Sequence, residues 1–140
     1  VGGFKSEWWT TSNRNQRAAS RWNTWADKSE SAGEDAQIRK MFEVNVFGLT
    51  RMINAVLPDM RRRKKGFIIN LSSLAGLRGF PALGYYNATK FAVEGLSGAL
   101  RKEVGPLGIK VMSVEPSGFR TDWAGRSANE SQTIIADYTK

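Results

Sequence analysis

Four polar residues in this 140-residue sequence have the types and spacing that proton transfer needs. Tyr86 and Lys90 are four apart, so on a helix they share one face and their heads reach one ligand. An ammonium beside a phenol favours the phenolate, which makes a tyrosine usable as a general acid and base near neutral pH. Ser73, with Ser72 beside it, directly follows an apolar run that ends at Leu71. Asn45 lies among Phe42, Val46 and Leu49, where an amide costs free energy unless it is hydrogen-bonded. Each has a plainer explanation when taken alone. A Tyr and a Lys four apart are often a surface pair worth a few tenths of a kcal/mol. Two serines often form a turn or a cap, and a buried Asn is often satisfied by nearby backbone.

Composition narrows the chemistry further. The sequence has no His and no Cys, which removes imidazole bases, thiolate nucleophiles, disulfides and the usual zinc ligands. Acid–base work falls to Tyr, Lys or carboxylates, and no metal site is expected. The formal net charge is +8, but Lys5, Arg14, Arg17, Arg21 and Lys28 are matched by Glu7, Asp27, Glu30, Glu34 and Asp35. Much of the excess is one run, Arg61, Arg62, Arg63, Lys64 and Lys65, placed after an expected helix, where cations suit the negative end of the dipole. That location argues against nucleic-acid binding. The apolar stretches fall far short of the roughly 20 residues that span a bilayer, and no basic-then-apolar leader opens the chain. A soluble, cytoplasmic protein that does not engage membranes is expected.

Elements that could position these residues begin near residue 31. Residues 1–30 place Trp8, Trp9, Trp22 and Trp25 among Ser, Thr, Asn and Arg with neither helical nor strand periodicity, and an irregular leader is expected there. Ser31 and Glu34 have the spacing of a capping box. Ile38, Met41, Phe42, Val46, Leu49, Met52, Ile53, Val56, Leu57 and Met60 then recur at helical steps, with Pro58 and Gly66 marking the closing stretch. Residues 67–71 read as a short strand buried on both faces. A second helix is expected over residues 85–104, with Val93, Leu96, Leu100 and Val104 as its apolar stripe and Ala88, Ala92, Gly95 and Ala99 as a small face for close packing. Residues 109–114 read as a second buried strand before Pro116 and Gly118. Helix, strand, helix, strand is the rhythm of a parallel α/β sheet with two long helices.

Asn45 in Asn-Val-Phe-Gly, the Ile-Ile-Asn-Leu-Ser-Ser run, Ser73 thirteen residues before Tyr86, and Tyr86-Asn87-Ala88-Thr89-Lys90 together resemble the short-chain dehydrogenase/reductase family. The resemblance runs from about Asp35 to about Ser127. It implies a Rossmann-like, doubly wound fold and hydride transfer between NAD(P)H and a carbonyl or alcohol substrate. It assigns Tyr86 as proton donor and acceptor. Lys90 would favour the phenolate and hold the nicotinamide ribose, Ser73 would bind the substrate oxygen, and Asn45 would hold a water through its backbone carbonyl. The loop with Pro116, Gly118, Phe119 and Thr121 would hold the carboxamide, and the two long helices would form a homo-oligomer interface. Leu74, Leu77, Phe80, Pro81, Leu83 and Tyr85 suggest an apolar substrate, with packing as the equal alternative for the Leu and Phe residues.

The resemblance is partial. The family's glycine-rich phosphate loop is missing, since before Gly48 the glycines are Gly2, Gly3 and Gly33. Gln16-Arg17-Ala18-Ala19-Ser20 stands where the family carries Asn-Asn-Ala-Gly, and Ser117 stands where a glycine is usual. Residues 31–140 are therefore expected to be a truncated catalytic region, weak or inactive alone, and a disrupted reading frame would leave such a leader. The alternative is a non-catalytic dimerisation fragment of the same fold. NAD and NADP cannot be told apart from these residues.

Overall fold

The computed structural model describes residues 35–119. The expected leader, the Ser31–Glu34 capping box and Thr121 lie outside the described residues. Helix α1, Asp35–Phe42, passes through a π-helical turn, Glu43–Gly48, into helix α2, Leu49–Arg63, with the junction residues Phe42 and Gly48 both helical. An exposed ion pair between Arg51 and Glu43, 2.6 Å, spans the turn. Strand β1 is Gly66–Leu71, helix α3 is Gly84–Val104 and strand β2 is Ile109–Val114.

Pro58 lies inside α2, and the helix runs on to Arg63. It ends where Lys64 turns left-handed at φ 49° and Lys65 N donates to Met60 O. Three residues of the basic run therefore occupy the last turn of the helix instead of following it. Arg63 pairs with Asp59 at 2.6 Å and Arg62 pairs with the same carboxylate.

The strands are parallel, with Gly66 opposite Ile109 and Leu71 opposite Val114. Both helices cover the same face. Ile68, Val104, Ile109 and Val111 are buried there, packed by Val56, Leu57, Met60 and Leu100, and each such aliphatic side chain contributes roughly 1.5–3 kcal/mol. Strand entry is fixed by Gly108, at φ 78°, because a Cβ there would stand 2.4 Å from Lys64 O.

Three packing expectations need correction. β1 is not buried on both faces: Phe67, Ile69 and Leu71 are exposed, with Met112 and Val114 beside them, because the described helices cover only the alternate residues. The small face of α3 is not packed by the described residues either. Ala88, Gly95 and Ala99 are exposed, and the buried positions are Asn87, Thr89, Val93, Ser97 and Val104. On α2 only Ile53 is buried, and Met52 is exposed. Helical spacing marks every apolar face, whether or not the chain itself covers it.

Sheet alternation sets the direction of the backbone groups. Ser72 N donates to Val114 O, so Val114 faces β1, while Leu71 and Val111 present their carbonyls to the two outer edges. Lys90 Nζ donates to Leu71 O at 3.0 Å, and Arg101 Nε donates to Val111 O at 3.0 Å.

Candidate active site

The carboxyl ends of both strands carry the polar residues singled out above. Beyond the strands, Ser72 N reaches Val114 O at 2.8 Å and Leu74 N reaches Pro116 O at 3.1 Å, which ties the segment after β1 to the segment after β2. Ser73 is extended and begins the 3-10 turn Leu74–Gly76, its Oγ accepting from Ala75 N at 3.2 Å. A hydroxyl that accepts in this way keeps its own proton to donate. Carboxyl ends of parallel strands are the usual ligand crevice of open α/β sheets.

Helix α3 begins at Gly84, beyond the loop that follows this turn, and presents Tyr86, Thr89 and Lys90 from its first two turns. Its entry is fixed by Asn87. With its amide oriented to satisfy both ends, Asn87 donates to Leu83 O at 3.1 Å and accepts from Phe80 N at 2.6 Å. Lys90 reaches back over the end of β1 to Leu71 O, with Nζ 5.7 Å from the centre of the Tyr86 ring. Burial pushes the Lys90 ammonium below the ordinary lysine range. The helix spacing thus brings the ammonium beside the phenol ring, as the spacing of four predicts.

Asn45 joins the same group from the other helix. It lies in the π-helical turn, half-buried, and its Nδ2 donates to Thr89 Oγ1 at 3.2 Å, while Thr89 Oγ1 donates to Tyr86 O at 2.8 Å. A side-chain hydroxyl, not nearby backbone, is its partner. π-helical turns inside α-helices occur often at functional sites. Pro116 is half-buried beside Leu74, and Gly118 and Phe119 are exposed. Among the loop side chains, Leu83 is core packing at 4% exposure, whereas Leu77 is 58% exposed and the Arg78 guanidinium lies 4.7 Å over the Phe80 ring. No cluster of acidic residues able to hold a metal occurs among the described residues.

The residues that sequence reasoning passed over are the ones that join the others. Thr89 is fully buried between Tyr86 and Lys90. Its signal was a β-branched hydroxyl three residues after Tyr86, in place to bond back to the Tyr86 carbonyl. Asn70 and Ser97, at 1% and 0% exposure, form a second buried pair, with Asn70 Nδ2 donating to Ser97 Oγ at 2.8 Å. This pair braces β1 against α3 just below the serines.

Comparison with known proteins decides the family. The profile described as short chain dehydrogenase matches residues 19–132. The chain belongs to the short-chain dehydrogenase family. It is 47% identical over 105 residues to 3-ketodihydrosphingosine reductase of Bacteroides thetaiotaomicron, covering 74% of this chain and 39% of that protein. A short-chain dehydrogenase structure from Streptomyces avermitilis superposes with a TM-score of 0.64 at 44% identity, over 67% of this chain and 35% of the other. The structure of ElxO with NADP bound superposes with a TM-score of 0.63 at 33% identity, over 65% and 37%. The chain therefore spans less than two fifths of the length of each of these relatives.

As a short-chain dehydrogenase the chain has a Rossmann-like fold with a small parallel sheet and two long helices, in a family of oxidoreductases that use nicotinamide cofactors. The family match begins at Ala19, upstream of the Asp35 at which the motif resemblance starts. No described helix is long and apolar enough to cross a membrane.

Proposed function

We propose that residues 31–140 are the catalytic portion of an NAD(P)-dependent oxidoreductase acting on a small carbonyl or alcohol substrate. The observation that carries this reading is the linked set Asn45, Thr89, Tyr86, Lys90 and Leu71 O, gathered with Ser73 at the carboxyl ends of β1 and β2. Tyr86 gives its hydroxyl proton to the carbonyl oxygen in reduction and takes it back in oxidation. Ser73 donates its free proton to the same oxygen and orients it. Lys90 holds a cation next to the phenol, and Asn45 fixes the turn of α3 that carries Tyr86.

The nicotinamide, when bound, supplies or accepts the hydride. Lys90 Nζ fits its ribose hydroxyls as a donor, and Pro116, Gly118, Phe119 and Thr121 are assigned to the carboxamide end. The fit is one-sided. Among the described residues no glycine-rich loop lies at a helix N-terminus to receive the pyrophosphate, so tight binding by the isolated chain is not expected. The exposed Leu77 and the half-buried Leu74 and Phe80 suit a substrate with an apolar body.

The test is a fluorescence titration of the folded chain with NADPH and NADH, followed by ketone turnover for the chain and for Tyr86→Phe. Loss of a positioned general acid lowers turnover by roughly 10²–10⁴-fold. Tyr86→Phe with unchanged turnover would overturn the assignment of Tyr86. A folded chain that binds neither cofactor would favour the second reading, a non-catalytic homo-oligomerisation fragment. The exposed face of α3, with Ala88, Phe91, Gly95, Leu96 and Ala99, supports that one.

A further inference from the structure

We infer that Glu94 is a positioning residue for Ser73, acting as a latch through the hydroxyl of Ser72 across Gly76. Ser72 is 3% exposed, and its Oγ has no hydrogen-bond partner among the described residues. The buried Oε1 of Glu94 has none either. One is a donor lacking an acceptor and the other an acceptor lacking a donor. A buried polar group without a partner is costly, so two complementary ones whose side chains border the same small space call for each other.

That space is defined by Gly76. A Cβ there would stand 2.7 Å from Ser72 Oγ, 3.1 Å from Glu94 Cγ and 3.0 Å from Lys90 O. The missing side chain leaves room between Ser72 Oγ and the Glu94 Cγ, and a turn of the Glu94 carboxylate through that room closes the hydrogen bond. The same contact presses the 3-10 turn Leu74–Gly76 onto α3 at the level of Lys90. Ser73 caps that turn through Ala75 N, so the latch sets the distance between the Ser73 hydroxyl and the helix face bearing Tyr86 and Lys90. Glu94 touches neither substrate nor cofactor in this arrangement.

The functional meaning of the inference rests on the reading of Ser73 given above, but its test needs neither cofactor nor substrate. Hydrogen exchange of the Ala75 amide in the full chain reports the turn, and the amides of Ile68 and Met112, which the register places inside the β1–β2 ladder, report the core. Glu94→Ala accelerates Ala75 exchange about tenfold and leaves the two core amides within about twofold, since exchange resolves local from global opening. Glu94→Gln, which keeps an acceptor in place, restores the slow rate. Ser72→Ala combined with Glu94→Ala exchanges no faster than either single variant. Unchanged Ala75 exchange in Glu94→Ala would overturn the latch. So would acceleration shared equally by Met112, a Glu94→Gln variant as fast as Glu94→Ala, or effects that simply add. A failed cofactor titration beside a normal exchange pattern would remove the oxidoreductase reading and leave the latch standing.

Discussion

Replacing Thr89 with Val tests whether the two helices are joined through one hydroxyl. Val keeps the volume of Thr at a fully buried position, so no cavity opens. The change removes two hydrogen bonds, one from Asn45 Nδ2 at 3.2 Å and one to Tyr86 O at 2.8 Å. A typical net contribution is about 0.5–1.5 kcal/mol per bond. Tyr86 O has its helical partner in any case, and Asn45 is only half-buried and recovers part of its loss from water. The expected cost is therefore roughly 1–2 kcal/mol, below the sum of two full bonds. Urea denaturation followed by circular dichroism measures it, and Asn45→Ala with the double variant completes a cycle. Two groups in direct contact couple by about 0.5–3 kcal/mol, and about 1 kcal/mol is expected here from the single shared bond. If the two changes add within about 0.3 kcal/mol, as independent sites do, Thr89 does not link the helices and the geometry of the site has another source.

Two other outcomes follow from packing and charge. Burial lowers the Lys90 pKa below its ordinary 10.5, so between the native value and 10.5 the unfolded chain binds more protons than the native one. Stability then rises with pH across that window, the penalty being fully present below the native pKa and gone above 10.5. Urea midpoints at several alkaline pH values should show this rise in the natural chain, and Lys90→Met should flatten it; an equal rise in both would assign it to other groups. The exposed α3 face predicts self-association, so Phe91→Glu should lower the sedimentation mass at high concentration, and an identical mass for both chains would locate the contact elsewhere.

The sheet and its helices were legible because the signals were local. Residues 109–114 lie between Gly108 and Pro116, and the second helix was misplaced by a single residue at its start, Gly84. Tyr86 and Lys90 meet as a spacing of four requires. What the sequence hid depended on partners distant in the chain. The π-helical turn at Glu43–Gly48 leaves no mark in a pattern of threes and fours, and Asn45 finds Thr89 forty-four residues away. The exposure of Phe67, Ile69 and Leu71 was hidden for a related reason. An apolar side chain records that something should cover it, and the sequence does not record whether this chain supplies the cover.

Lys90 and Arg101 do more than complete two hydrogen bonds. Each sets a cationic side chain on an outward carbonyl of the two-stranded sheet, one at either rim. Rims that the described residues leave without a further strand invite one, and natural sheets discourage this with charge, lysine above all. Two copies approaching rim to rim would bring like charges together over an otherwise sticky apolar surface. The colloidal behaviour of the chain then depends on ionic strength: added salt screens that repulsion, and turbidity at a fixed protein concentration should grow with it.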